Sequence, residues 1–187
     1  MNNSLVEKDY VFQTAIHFEE GFLLNLYEIK LSMVIVTDNL REQNIAIERI
    51  NYFIESSLDS CVFVNQSEES QIKKYDQAGI KVCVIPEEPY DQIIGMVLMM
   101  KLNAIMEDKV RITEIIFGSK MSTGVKFIIS YEEAEAYYAG DFWYNHPSLS
   151  IRDIPKTKSK KEKIVNLFVS DDWTKLNLNW KEKQKID

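Results

Sequence analysis

Between Ser60 and Asp108 the apolar positions arrive as two short unbroken runs, a helical stripe between them, and a long apolar stretch after them. CVFVN (Cys61–Asn65) and IKVCVIP (Ile80–Pro86) are the runs, and both have the length of strands. Ser67–Gly79 spaces Ile72, Tyr75 and Ala78 along one helical face and stops at a glycine. EEPYDQIIGMVLMMKLNAIMED follows. Short apolar strands that alternate with helical segments predict parallel βαβ units. Sheets of that kind bind ligands beyond the carboxyl ends of their strands, which is where a site is to be sought.

The same reading extends in both directions. Tyr10–Phe18 predicts a strand, Glu19-Glu20-Gly21 a turn, and Phe22–Thr37 a long β-rich run. The two runs predict an antiparallel hairpin, with Gly21 supplying the positive φ of the turn. The continuously apolar MVIV near the end of the second run predicts a central strand covered on both faces. Asn39 is placed to cap a helix, Glu42 stands at the capping-box position, and Ile47, Ile50, Ile54 and Leu58 supply one apolar face. From Pro89 to Glu107 the apolar residues wrap most of a helical circumference, so this helix is expected to be buried on more than one side, with Pro89 in its first turn. Val110–Phe117 and Val125–Tyr131 flank the loop Gly118–Gly124 and predict a second hairpin, followed by a helical turn over Glu132–Tyr138.

These elements predict an α/β fold, a single domain with a mixed β-sheet, flanking helices and two β-hairpins. The alternative is a ferredoxin-like α+β sandwich with an inserted helix. Residues 1–150 would form the domain, 151–163 a basic linker, and 164–187 an apolar segment docking on the body or on a partner subunit. A chain of 187 residues with 45% hydrophobic content suffices for one core. The longest apolar run, Ile93–Met100, contains Gly95 and ends at Lys101, too short to span a bilayer. The polar start MNNSLVEKDY has no signal-peptide core, so a cytoplasmic location is expected, with no membrane partner. Cys61 and Cys83 lie in predicted strands and read as free core thiols.

Charge divides the chain. Residues 151–187 hold ten basic and six acidic side chains, leaving 12 basic and 23 acidic in residues 1–150. An acidic body argues against nucleic acid as a partner. The run KTKSKKEK (Lys156–Lys163) reads as a solvated linker, with phosphate contact as its alternative.

Candidate chemistry is sparse. The six glycines are scattered, so no G-x-G-x-x-G or Walker A loop exists. His17 and His146 have no Cys or His at ligand spacing, which argues against zinc, and no G-x-S-x-G elbow supports a nucleophile. His17, in an apolar strand, reads as structural. Acidic groups at strand ends are the best catalytic candidates: Asp38 after one strand, and Glu87, Glu88 and Asp91 after another. Were those strands neighbours in a doubly wound sheet, the carboxylates would converge and could hold Mg²⁺ for phosphate chemistry. The competing reading is that these acids simply favour helix starts. Phe142, Trp143 and Tyr144, followed by His146, form an aromatic loop that is either an interaction surface or a plug folded into the core. Trp173 and Trp180 extend the interaction candidates into the C-terminal segment.

NIAIERINYFIESSLDSCVFV (Asn44–Val64) and PEEPYDQIIGMVLMMKLNAIMED (Pro86–Asp108) resemble conserved uncharacterised proteins of tailed bacteriophages, a likeness covering residues 25–145. The resemblance implies a phage accessory role in the host cytoplasm and carries over no catalytic residue. The leading expectation is a non-enzymatic protein-interaction or accessory protein that is homo-oligomeric or binds another protein, and needs no cofactor. The alternative is a Mg²⁺-dependent phosphate-handling enzyme, nuclease- or phosphatase-like.

Overall fold

The opening hairpin forms as its pattern predicts. The computed structural model describes residues 5–19, 21–122 and 124–152. In it β1 (Leu5–Phe18) and β2 (Gly21–Ile35) pair antiparallel from Leu5 opposite Val34 to Phe18 opposite Gly21. Gly21 has φ +138°, a conformation that a Cβ would strain. Helix α1 (Leu40–Tyr52) leads to β3 (Cys61–Asn65), which pairs parallel with β1. Helix α2 (Glu69–Gln77) then crosses to β4 (Val82–Ile85), parallel to β3, and completes the expected βαβ unit. After α3 (Asp91–Met106), β5 (Val110–Ser119) pairs antiparallel with β2, and β6 (Phe127–Ser130) pairs antiparallel with β5. The strand order β4-β3-β1-β2-β5-β6 makes one mixed sheet, and with its flanking helices the chain is a single α/β domain. A ferredoxin-like sandwich would place a helix between the first two strands; here the chain turns back directly.

Strand alternation sorts the side chains between two unlike faces. On the inner face Phe12, Tyr27, Ile29, Leu31, Ile115 and Phe117 are buried in a core shared with α1, α3 and α4 (Tyr131–Tyr138). On the outer face α2 covers the β3–β4 wing alone, setting Ile72 and Tyr75 against Ala15, Val62, Val64 and Val82. Beyond α2 the described residues leave the outer face uncovered, with Val11 at 51% and Ile128 at 65% exposure. This corrects the expectation from MVIV. β2 is interior in the sheet, between β1 and β5, yet helices cover one of its faces only, and its outward Lys30, Ser32 and Val34 are half-buried by neighbouring strands.

Helix α3 is buried nearly all round, as its composition requires. Ile94, Val97, Leu98, Met99, Leu102, Ile105 and Met106 are all at 0% exposure. The sheet packs on one side, α1 on another, and α4 with the 3-10 turn Trp143–Asn145 on a third. At Gly95 the helix comes so close to the sheet that a Cβ would lie 2.4 Å from the Ile129 Cδ1 atom. Tyr90 is the N-cap residue, so Pro89 stands before the helix and not in its first turn.

At α1 the Asn39 side chain accepts from the Arg41 N–H at 3.0 Å, as a cap should. The capping box does not close, because Glu42 is taken by the Thr37 hydroxyl at 2.9 Å and by Lys109 at 3.5 Å. The helix continues as a π turn, Phe53–Leu58, in which the Asp59 N–H donates to the Ile54 carbonyl five residues back. The wider turn holds Phe53, Ile54 and Leu58 all inside the core. Cys61 and Cys83 are free and buried, as expected. The linker is described only at Ile151 and Arg152; the docking expected of 164–187, including Trp173 and Trp180, lies outside the described residues.

Candidate docking site

The four strand-end carboxylates do not converge. β2 runs antiparallel to β1, β3 and β4, so Asp38 leaves the sheet at the end opposite to the one where β4 delivers Glu87, Glu88 and Asp91. The three that share an end face different donors. Glu87 accepts from the Tyr138 hydroxyl at 3.1 Å, Glu88 from the Asn65 amide at 2.7 Å, and Asp91 from the Tyr27 hydroxyl at 2.6 Å. Among the described residues no three His, Cys, Asp or Glu side chains gather into a metal-binding set. The arrangement does not fit Mg²⁺, and the doubly wound order that would have joined these acids is absent.

The aromatic loop is divided between core and surface. Trp143 and Tyr144 are buried, at 6% and 2% exposure, and the Trp143 Nε1–H donates to the Val84 carbonyl on β4 at 2.9 Å. Beneath them Lys101 of α3 is wholly buried. Its Nζ donates to the carbonyls of Trp143 at 3.1 Å and His146 at 2.9 Å, and lies 5.3 Å from the Trp143 ring centroid. Arg49 of α1 acts alongside, donating to the carbonyls of Ile105 at 2.8 Å and Pro147 at 2.6 Å. Burial lowers the Arg49 pKa from its ordinary value, opposed by the nearby Glu107 carboxylate. Two buried cations need acceptors, and the carbonyls of Trp143, His146 and Pro147, with that of Ile105 in the last turn of α3, supply them. Of the two alternatives, Trp143 and Tyr144 therefore follow the plug and not the interaction surface. Phe142, 44% exposed, and His146, whose Nε2 lies 2.9 Å from Asp141, remain outside.

The carboxyl end of β1, β3 and β4 presents a different surface. At the hairpin tip β2 outreaches one neighbour: the β5 ladder on β2 begins at Tyr27, whereas on the other side Leu23 and Leu24 stand level with Ile16 and Ala15, which β3 pairs. Beneath the tip a buried polar chain closes the inner face. Tyr27 donates to Asp91, and the Ser119 hydroxyl donates to the Asn25 side-chain Oδ1 at 2.5 Å. Burial, and then Asp91, hold the Tyr27 pKa well above that of an ordinary phenol. Above this chain Phe22, Leu23, Leu24 and Tyr90 are 59%, 54%, 60% and 63% exposed. Phe18, Phe22, Leu23 and Tyr90, with Glu19 and Glu88, line an open cleft of about 600 Å³. On the outer side Phe22 stacks on Tyr75 at 6.1 Å, and the Tyr75 hydroxyl shares a hydrogen bond with His17 Nδ1 at 3.0 Å, giving His17 the structural role expected of it.

A second cleft, of about 620 Å³, lies between α3, α4 and the loop before Trp143. Its polar groups bond to one another: Arg111 to Asp108 at 3.2 Å, Tyr131 to Glu135 at 3.1 Å, and Asn103 to both backbone groups of Ile112. The hairpin-tip cleft is the stronger candidate because its apolar walls are left facing solvent.

The tip carries a signal in the sequence. Turn-proximal residues are ordinarily polar, and Phe22-Leu23-Leu24 directly after the turn glycine breaks that habit. Lys101, alone among apolar neighbours in α3, was the corresponding signal for the plug.

Comparison with known proteins adds a limited likeness. No family model matches this chain, and no curated protein matches it either. Among solved structures, an uncharacterised protein from Wolinella succinogenes aligns with TM-score 0.47 at 11% identity, over 68% of this chain and 97% of that one. The 6-pyruvoyltetrahydropterin synthase of Plasmodium vivax aligns with TM-score 0.42 at 10% identity, over 68% of this chain and 98% of that one. Among the described residues, no helix is long and apolar enough to cross a membrane.

Proposed function

We propose that this protein is a non-enzymatic protein-interaction module whose docking element is the tip of the β1–β2 hairpin. The observation that carries the reading is the run Phe22-Leu23-Leu24, more than half exposed on the part of β2 that lies beyond the β5 ladder. Exposed apolar side chains mark interaction sites, and a rigid sheet presents them without an ordering cost, Phe22 and Leu24 on its outer face and Leu23 on its inner one. An accessory role in a tailed phage rests on the sequence resemblance and accords with such a module. The Mg²⁺-enzyme alternative loses its support, because Asp38 stands apart from Glu87, Glu88 and Asp91.

Panning a random peptide library against the immobilised full chain tests the reading. We expect peptides with an apolar anchor to be enriched, and their binding to fall at least about tenfold in Leu23→Ser, as loss of a central apolar contact does. Enrichment that Leu23→Ser leaves intact would place the docking surface elsewhere. A second reading, self-association, is favoured by the open outer face around Val11 and Ile128. Light scattering of the full chain at micromolar concentration decides it: a dimer mass supports self-association, and a mass near 21.9 kDa removes it.

A further inference from the structure

We propose that the hairpin-tip cleft takes an alkylammonium group, a lysine side chain of the docking partner. The inference rests on the docking reading and names the chemistry that the site selects. Two of its lining residues, Phe18 and Tyr90, are aromatic side chains beside Leu23, and its charged lining residues, Glu19 and Glu88, are both acids. Among the described residues no basic side chain lines it. Aromatic faces attract cations, an alkyl stem packs on apolar surface, and a carboxylate at the rim adds a charge-assisted hydrogen bond. An anionic ligand would meet two carboxylates. A neutral apolar anchor would satisfy the walls and leave the carboxylates without a counter-charge.

Glu88 further narrows the choice. The Asn65 amide donates to its Oε1 atom at 2.7 Å, which holds the carboxylate at the cleft wall and occupies one of its oxygens. A guanidinium binds carboxylates best through two parallel bonds, and an ammonium needs only one acceptor. The cleft therefore matches lysine better than arginine. Neighbouring Glu87 and Asp91 lie at the same end of the sheet and reinforce the negative potential there.

The test uses the isotopically labelled full chain and n-butylammonium as the probe, with uncharged n-butanol as its control. Saturable shifts are expected at the amides of Gly21, Phe22, Leu23 and Tyr90, weakening as salt is raised. Glu88→Gln and Tyr90→Ala should each weaken the midpoint by about threefold or more, the scale of an exposed cation–π or ion-pair contact. Tyr90 is 63% exposed, so its truncation leaves the fold intact, and an unchanged spectrum outside the tip verifies this. Equal midpoints for butanol and butylammonium, no saturable shift at the tip with butylammonium, or a midpoint unmoved by Glu88→Gln, would overturn the inference. The peptide selection fails separately. Tip-dependent peptides that lack a basic residue would sink the lysine assignment and keep the docking reading. Loss of all tip dependence there would sink the docking reading itself.

Discussion

Two regions of this molecule reverse the ordinary sorting of side chains, in opposite senses. Under the aromatic loop a lysine and an arginine are buried; at the hairpin tip a phenylalanine and two leucines face water. The first reversal is resolved inside the fold, because Lys101 and Arg49 meet the carbonyls of Trp143, His146 and Pro147. At the tip, the described residues leave the apolar surface facing solvent. A violated pattern points outward to a partner when the violation is left standing, and inward to architecture when the fold has answered it.

The sharpest way to break this contrast is Lys101→Met, which keeps the volume and deletes the charge. Two buried carbonyls then lose a donor, and we expect a loss of about 3 kcal/mol in urea denaturation. A loss below about 1 kcal/mol would mean that the clamp is incidental.

A smaller effect is expected at the polar chain beneath the tip. Tyr27→Phe removes the bond to Asp91 and should cost about 1–2 kcal/mol at neutral pH. It should also change the response to alkali. Burial first, and then neighbouring carboxylates, raise the pKa of Tyr10, Tyr27 and Tyr138, that of Tyr138 to about 12. The native state thus keeps protons that the unfolded chain releases above the ordinary phenol value near 10, so stability is full below about pH 10 and falls as pH rises towards 12. Tyr27→Phe should make that fall shallower, as measured by denaturation midpoints from pH 8 upwards. An unchanged slope would show that Tyr27 does not titrate with unfolding.

The smallest effect on stability belongs to the tip. Leu23→Ser should stay within about 0.5 kcal/mol of the parent, as exposed positions do, whatever it does to binding. A cost above about 1 kcal/mol would show that Leu23 packs within the domain and that the contrast between the regions is false.

Local pattern was enough to predict the elements, and it failed on direction. The hairpin, the β3–α2–β4 unit, the all-round burial of α3 and the second hairpin follow from periodicity and from Gly21 and Gly79. What periodicity does not encode is which strands lie side by side and which way each runs. Placing Asp38 beside Glu87 assumed a parallel β2, yet the tight turn at Gly21 already required β2 to run back along β1. The aromatic loop was undecidable for a related reason. Whether Trp143 faces a partner or the core depends on Lys101, 42 residues away, and on Arg49 and Pro147, 98 residues apart. The tip differs from ordinary strand content only in position, because Phe22-Leu23-Leu24 stands directly after the turn glycine.

The clamp also sets an order of events. Residues 143–147 are among the last of the described domain to leave the ribosome, yet they carry carbonyls that Lys101 and Arg49 use. Until they arrive, α1 and α3 hold cations that lack those acceptors, and desolvating them is costly. The hairpin can zip early, since its contacts are local and their loop-closure cost is small. We therefore expect the helical layer to dock only once the segment from Trp143 onward is available, and a nascent chain paused before Trp143 to be cut by protease faster than one paused after Pro147.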